Sequence, residues 1–341
     1  MKPQISIIVP IFNAEDTLNN VVNSFVTQDI GFEMLEIILI DDNSTDNSKF
    51  IIQNFVNKYK NVKGFFLDKN NGTPGKLRNI GIKNAVADYI MFCDSDDTFS
   101  KDFCRIMYDV VLKNPNVDFI SSRYKMFNEN KFVSLNKSFL EKYPSEIKID
   151  SINDFPDLVY TLSNLPIWNK IFKRDFILKN NIKFYDNRWD EDFFFSINCF
   201  IKSQNGFIFL NDYAGYNYAV DNIKFPSNKR LKNSITDTVL CFEDLEILLS
   251  ENSNINLNFE KLISEHLVNS TQYFLGNSLP YNDQIHLLKK LKPYYKMYKL
   301  TNKLINNVSW VLNFFVNIFI KLAGLSINFV IFVSKLYKIL N

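Results

Sequence analysis

Four short apolar runs dominate the first 120 residues, each leading into polar residues that precede a helix-like segment or stand at the run's end. No other feature restricts the fold as much. Residues 5–9 (ISIIV) are mostly β-branched and read as a strand buried on both faces. Residues 15–28 read as a helix with Leu18, Val21, Val22, Phe25 and Val26 on one side. Residues 35–40 give a second buried strand. A second helix over 44–59 carries Phe50, Ile51, Phe55 and Val56, with Ser44 or Thr45 as its cap. A third strand over 62–67 and a third helix over 74–86, with Pro74 near its start, repeat the unit. A fourth strand, 89–93, ends in four polar residues. This alternation predicts an α/β fold, a Rossmann-like and mainly parallel sheet flanked by helices. Such sheets bind ligands beyond the carboxyl ends of their strands, where the polar clusters of this chain fall.

Beyond residue 120 the pattern loosens. Strand-like pieces at 207–210 and 213–218 mix with helical stretches at 154–163 and 191–202, and from about 226 the pattern is helical to the end. The expected organisation is therefore 1–120 and 121–225 as two halves of one domain, then a helical region, 226–341. With 46% hydrophobic and 22% charged residues the chain is not disordered by composition. A net charge of +2 gives no reason to expect nucleic acid as a partner. The abundant Phe, Tyr, Ile, Lys and Asn read as codon bias. Cys93, Cys104, Cys199 and Cys241 form no C-x-x-C pair and read as reduced, buried thiols. His266 and His286 both lie in the last third, so an H-E-x-x-H zinc site is absent. Any metal must be held by oxygen, which favours Mg2+ or Mn2+.

Four clusters carry chemistry. Asp41 and Asp42 open the run DDNSTD after the second strand, where adjacent carboxylates can accept hydrogen bonds from a base and a ribose; helix capping is the plain structural alternative. Asp94, Ser95, Asp96 and Asp97 follow the fourth strand. A D-x-D turn aims two carboxylates to one side, and three acids in four residues call for a counter-charge such as a divalent cation bridging a diphosphate. The run GTPGKLRN, residues 72–79, leads into a helix start where Lys76 or Arg78 can face phosphate; the alternative is a glycine turn with solvated basic residues. Asp190, Glu191 and Asp192 precede Phe193, Phe194 and Phe195. A carboxylate at the start of a buried helix is a candidate general base, and capping is again the alternative. Trp168 and Asn169 could line a second-substrate pocket, although a core tryptophan is the simpler reading.

Taken in order, these clusters resemble family 2 glycosyltransferases of the GT-A fold, over about residues 3–220. The segments that carry the resemblance are IVPIFNAE (8–15), LIDDNSTD (39–46), ADYIMFCDSDD (87–97), IWNKIFKR (167–174) and DEDF (190–193). The resemblance implies an inverting transfer of one sugar from a nucleotide diphosphate donor, a UDP-sugar, to a hydroxyl of a cell-surface glycan or lipid-linked saccharide. It places Pro10, Phe12, Glu15, Asp41, Asp42, Arg78 and Asp94 at the nucleotide, with Asp42 toward the base. Asp94 and Asp96 would hold Mn2+ or Mg2+, Asp96 the more directly, and Lys76 would reach phosphate. Asp192 would be the catalytic base with Glu191 next in line, and Trp168 and Asn169 would lie on the acceptor side. Residues 216–220 (YNYAV) lack an Arg that many members carry there, leaving Lys224 or Lys229 as substitutes, and no Q-x-x-R-W signature of processive synthases is present.

Two other functions fit less well. A sugar nucleotidyltransferase needs a glycine- and basic-rich loop after its first strand, and this chain has Pro10, Ile11, Phe12 and Asn13 there. A non-catalytic nucleotide-sugar binder or assembly protein would not need the full set of acids. Residues 302–338 form an amphipathic pattern: Asn302, Asn306, Ser309, Asn313, Asn317 and Lys321 fall in one sector, with Trp310, Phe314, Phe315 and Phe319 in the apolar remainder. That pattern fits a membrane interface or, failing that, packing on the catalytic half or a second copy. Residues 5–9 are too short and too soon ended by Pro10 for a secretory h-region, so the expected place is the cytoplasm, on the inner face of the cell membrane.

Overall fold

Burial follows the apolar runs. In the computed structural model, β1 (Ile5–Ile11) and β2 (Leu35–Asp41) are buried at every position, as expected for strands covered on both faces. The structure describes residues 2–128, 131–134, 143–154, 166–219 and 228–255, with Leu262 and His266. The chain divides into two compact units, Met1–Lys224 with Leu248–Asn256, and Phe225–Ile247 with Leu257–Asn341. The site lies in the first.

Between these strands and after them run α1 (Leu18–Val26), α2 (Ser48–Lys58), β3 (Val62–Phe66), α3 (Gly75–Asn84) and β4 (Tyr89–Phe92). All pairings among the first four strands are parallel, in the order β3-β2-β1-β4. Next in sequence come β5 (Thr98–Phe99), α4 (Phe103–Lys113), β6 (Phe119–Asn128), β7 (Lys131–Ser134) and β8 (Glu146–Ile149). They are followed by β9 (Lys170–Lys173), α5 (Arg174–Lys179), α6 (Glu191–Lys202), β10 (Phe207–Ala219) and α7 (Asn228–Glu251). The sheet continues from β4 through β9, β6 and β10 to β5. β9 runs antiparallel to both β4 and β6, while β6 and β10 are parallel to each other. The sheet is thus parallel over its first four strands and mixed beyond them, one continuous surface across the boundary near residue 120.

The helices begin later than their patterns suggest. α1 starts at Leu18, not at 15, because Asn13 turns left-handed (φ 51°) and Glu15 is committed to the neighbouring loop. α2 starts at Ser48, so neither Ser44 nor Thr45 is its cap. Their groups are taken by the first loop: Asn13 N–H donates to Ser44 Oγ at 3.0 Å, and Thr45 N–H donates to Asn13 Oδ1 at 2.8 Å. The two strand-like pieces at 207–218 are one strand, β10, whose register slips against β6 between Leu210, Ala214 and Tyr216, as at a bulge. Of the helix expected over 154–163, residues Ile152–Asp154 form a single 3-10 turn and the rest lie outside the described residues, as does 302–338.

Two packing features fix what surrounds the site. Ser6 and Glu36, polar residues inside buried strands, serve the far end of the sheet. Ser6 Oγ donates to Glu36 Oε2 at 2.5 Å, Val86 N–H donates to the same oxygen at 2.9 Å, and Lys63 lies 2.5 Å from the other. Paired in this way a buried carboxylate is tolerated. On the same face of the sheet, nearer the site, α6 is buried nearly all round. Phe195 stacks on Phe184 at 3.9 Å and meets Phe92 and Phe172 edge-on at 5.8 and 5.7 Å, which presses α6 onto β4 and β9. Some of the phenylalanine read as codon bias is thus the core beneath the site. The four cysteines are buried and form no disulfide.

Candidate active site

The carboxyl ends of β1, β2 and β4 and the start of α6 bring the acidic clusters together. Pro10 is buried at the end of β1, and Phe12, one residue past the strand, is 46% exposed. Asp41 closes β2 and is wholly buried. Ser44 N–H donates to its Oδ2 at 3.0 Å, Lys49 lies 3.9 Å from the same oxygen, and Oδ1 has no hydrogen-bond partner. Asp41 therefore shapes the turn, and a ligand reaches it only if the turn moves. Glu15 is committed too, since Asn47 donates to its Oε2 from the backbone at 3.0 Å and from Nδ2 at 2.7 Å. It holds the entry of α2.

Asp42 organises the next loop. It accepts Asn71 N–H at 2.9 Å, Asn71 Nδ2 at 2.7 Å and Gly72 N–H at 3.3 Å. Gly72 has φ 86°, a left-handed turn that glycine enters without cost from a Cβ. Lys76, on the first turn of α3, donates to Asn71 Oδ1 at 3.0 Å, so in this structure it braces the loop. Gly75 is a packing position. A Cβ there would stand 1.9 Å from the Tyr185 carbonyl oxygen and 3.1 Å from Glu191 Cγ. Its smallness lets α3 approach the segment before α6, rather than an open ligand face.

That approach explains Arg78. Arg78 is 4% exposed and its guanidinium spans the site: Nη2 donates to Asp94 at 2.8 Å and Nη1 to Glu191 at 2.9 Å. It also lies 5.4 Å over the Phe184 ring. Burial pulls its pKa down, but Asp94, Glu191 and Asp192 more than offset this, so it stays charged. Arg78 is thus a strut between the end of β4 and the start of α6, not a side chain open to base or phosphate.

Asp190 precedes α6 in a left-handed conformation (φ 61°) and makes no side-chain cap hydrogen bond. The helix begins abruptly, and Glu191 and Asp192 occupy its first turn, where the dipole favours negative charge. Burial wins over the dipole. Burial and then Asp192 push Glu191 up to about 8 against the pull of Arg78. Burial raises Asp192 as well, opposed by Arg78 and by the Phe193 N–H that donates to it at 2.8 Å, with Asp190 adding to the rise. With Asp94 already balancing Arg78, this pair holds a proton above the usual carboxylate range.

At the end of β4 the three acids separate into two groups. Asp94 and Asp96 are half-buried. Asp97 is 1% exposed and turned away, accepting Tyr216 O–H at 2.5 Å and Ala219 N–H at 2.7 Å. Burial, then Asp94 and Asp96, raise it to about 8 despite both bonds. The expected three-acid cluster is thus a pair. Among the described residues no three His, Cys, Asp or Glu side chains gather as a metal site. Two half-buried carboxylates suit a hard cation such as Mg2+ or Mn2+, which keeps waters and takes phosphate oxygens as its other ligands.

Trp168 and Asn169 are both buried. Trp168 stacks on Tyr216 at 4.2 Å and on Tyr218 at 5.5 Å, with Tyr124 edge-on at 4.6 Å. Asn169 Nδ2 donates to the Ser122 carbonyl at 2.5 Å, and its Oδ1 accepts buried Lys170 at 2.9 Å. Burial pulls Lys170 down to about 7, opposed by Cys199 and Asp192. These side chains form the wall behind the site. The sequence reading missed Asn13, Asn71 and Tyr216. The two asparagines follow strands, a turn signal that could have been read. Tyr216 had none, since a strand aromatic is ordinarily core.

With this geometry in place, comparison with known proteins is decisive at the family level. The family model described as glycosyl transferase family 2 matches residues 6–180, half of the chain. The chain belongs to that family. Poly(ribitol-phosphate) beta-N-acetylglucosaminyltransferase TarP of Staphylococcus aureus is 33% identical over 225 residues, 63% of this chain and 65% of TarP. Poly(ribitol-phosphate) beta-glucosyltransferase of Bacillus spizizenii is 32% identical over 217 residues, 63% of this chain but 32% of the relative. The chain thus spans about a third to two thirds of the length of these relatives. Among solved structures, S. aureus TarS residues 1–349 in complex with UDP-GlcNAc superposes with a TM-score of 0.69 at 21% identity, covering 98% of this chain and 91% of that one. The fold is that of a GT-A transferase.

Proposed function

We propose that this chain transfers a single sugar from a UDP-sugar to a hydroxyl of a cell-surface polymer, with inversion at the anomeric carbon. The observation that carries the proposal is the Arg78 strut. One buried guanidinium ties a carboxylate of the D-x-D turn to the helix start bearing Glu191 and Asp192. Donor-side and acceptor-side acids are therefore held at one place, as in-line displacement requires.

In this reading Pro10 and half-exposed Phe12 offer the apolar face for the base, and Asp42 holds the loop at Asn71 and Gly72 along its edge. Asp94 and Asp96 would hold the divalent cation, Mn2+ or Mg2+, that neutralises charge on the leaving diphosphate. Asp192 takes the proton of the acceptor hydroxyl as its oxygen bonds to the anomeric carbon. The bond from that carbon to the diphosphate oxygen breaks, and the electron pair leaves with the nucleotide. Glu191, bonded to Arg78, keeps its proton and orients the helix start rather than acting as base. Lys76 is freed for phosphate only if Asn71 turns. Trp168 and Asn169 support the acceptor side from behind.

The relatives named for poly(ribitol-phosphate) point to a polyol-phosphate or similar wall polymer as acceptor class. Among the described residues no helix is long and apolar enough to cross a membrane. We assign residues 302–338 to contact with the inner membrane surface, where lipid-linked acceptors are made; a second copy of the chain is the alternative occupant. The test is transfer from UDP-glucose, UDP-galactose and UDP-GlcNAc to polymeric ribitol phosphate, with the product linkage read by NMR. A product of opposite anomeric configuration to its donor supports the reading. Binding of UDP-sugars without transfer to any supplied acceptor favours a non-catalytic nucleotide-sugar binder.

A further inference from the structure

The D-x-D turn is short, polar and placed at a strand end, so something must fix its conformation. The turn's own bond, Asp97 N–H to the Asp94 carbonyl, is long at 3.3 Å. Two side chains from distant parts of the chain clamp it. From the start of α1, Thr17 Oγ1 donates to the Ser95 carbonyl at 2.7 Å. From β10, the Tyr216 hydroxyl donates to Asp97 Oδ2 at 2.5 Å and accepts the Asp94 N–H at 3.2 Å. Tyr216 thus holds the turn at its first and last residues with one oxygen, and Thr17 holds the middle. The Tyr216 ring is itself immobilised, wholly buried and stacked on Trp168 at 4.2 Å. Ala219 N–H on Asp97 Oδ1 completes the tie between β10 and the turn.

We infer that Tyr216 is a positioning residue for the Asp94–Asp96 pair: its hydroxyl, with that of Thr17, sets the turn so that both carboxylates present to one cation. Asp97 acts through the same clamp and is not a ligand. The inference rests on the proposed metal-dependent reading of this site. It follows that the hydroxyl, not the ring, matters for cation binding, because removing it leaves the stack on Trp168 in place.

The experiment is a titration of Mn2+ against this chain with saturating UDP, free Mn2+ being followed by electron paramagnetic resonance. Tyr216→Phe is compared with wild type and with Tyr213→Phe. The latter removes a hydroxyl from the same strand that donates to Asp102 at 2.9 Å, outside the turn. Tyr216→Phe is expected to weaken Mn2+ binding about tenfold, while Tyr213→Phe leaves it unchanged. The same tenfold rise is expected in the Mn2+ concentration needed for half-maximal turnover, with a much smaller effect on kcat at saturating Mn2+. Thr17→Val, close to isosteric, is expected to weaken Mn2+ binding in the same direction, and it decides the matter if Tyr216→Phe does not fold. Wild-type affinity in a folded Tyr216→Phe, or in Thr17→Val when Tyr216→Phe is unfolded, overturns the inference. So does an equal loss in Tyr213→Phe. A wild type that binds UDP but no Mn2+ overturns the metal-dependent reading, and the inference with it.

Discussion

Replacing Arg78 with Met keeps much of the side chain's length and removes the charge that spans the site. The two carboxylates it leaves behind differ. The Asp94 side chain is 32% exposed and can rehydrate, whereas that of Glu191 is 8% exposed and cannot. Breaking a fully buried ion pair costs about 3–5 kcal/mol. That full cost applies only where Glu191 is ionised. Burial already pushes Glu191 up to about 8, so near pH 6 it is protonated in the fold and needs no counter-charge. There the variant loses mainly hydrogen bonds, about 1–2 kcal/mol. The sign follows from linkage. A carboxyl raised in the folded state lends stability below its unfolded pKa and loses it as pH rises through the folded value. Arg78 holds both Glu191 and Asp192 down, so its removal raises both folded values further. The gap between variant and wild type therefore widens above about pH 8, toward about 3 kcal/mol or more by pH 9. Urea denaturation of both proteins at pH 6, 7.5 and 9, followed by circular dichroism, measures it. A loss already complete at pH 6, or one that shrinks as pH rises, would refute the protonated-pair reasoning.

Other predictions concern single contacts. Gly75→Ala forces a Cβ toward the Tyr185 carbonyl and Glu191. It is expected to cost about 1–3 kcal/mol by overpacking and to lower kcat with little change in donor KM, read by steady-state kinetics. Asp42→Ala orphans the donors of Asn71 and Gly72. Calorimetry should show weaker UDP binding, by about 1–3 kcal/mol, with Asp94 and Asp96 untouched. Asp192→Asn is expected to retain UDP binding and lose transfer. In wild type the acidic limb of kcat against pH should lie above the ordinary aspartate range, since burial raises Asp192 and the base must be deprotonated. A limb near pH 4 would contradict that.

Much of this was legible in the sequence because apolar runs and strand-end acids are local signals. The first four strands, the length of α6 and the strand-end positions of Asp41, Asp42 and Asp94–Asp97 follow from periodicity and from the rule that ligands gather at carboxyl ends. What the sequence did not carry were partnerships between distant residues. Asp94, Asp96 and Asp97 look alike in a row, yet one is turned inward because Tyr216, over a hundred positions later, donates to it. Arg78 reads as a solvated or phosphate-facing cation until Gly75 lets α3 close on Glu191. Glu15 and Asp41 look free to bind a nucleoside, but Asn47 and Ser44 use them to shape the loops around it. α1 and α2 start later than their patterns predict for the same reason, since side-chain bonds between the first two loops displace the expected caps.

Metal-dependent transfer from a nucleotide sugar at the Asp94–Asp96 pair is read straight from UDP-sugar turnover. Release of UDP from a panel of UDP-sugars would be followed with Mn2+, with Mg2+ and with chelator, for wild type and Asp96→Ala. Turnover of one UDP-sugar is expected to require a divalent cation and to fall by at least about 100-fold in the variant, the scale at which loss of charge stabilisation in the transition state appears. Equal turnover with chelator, or an undiminished Asp96→Ala, would contradict it.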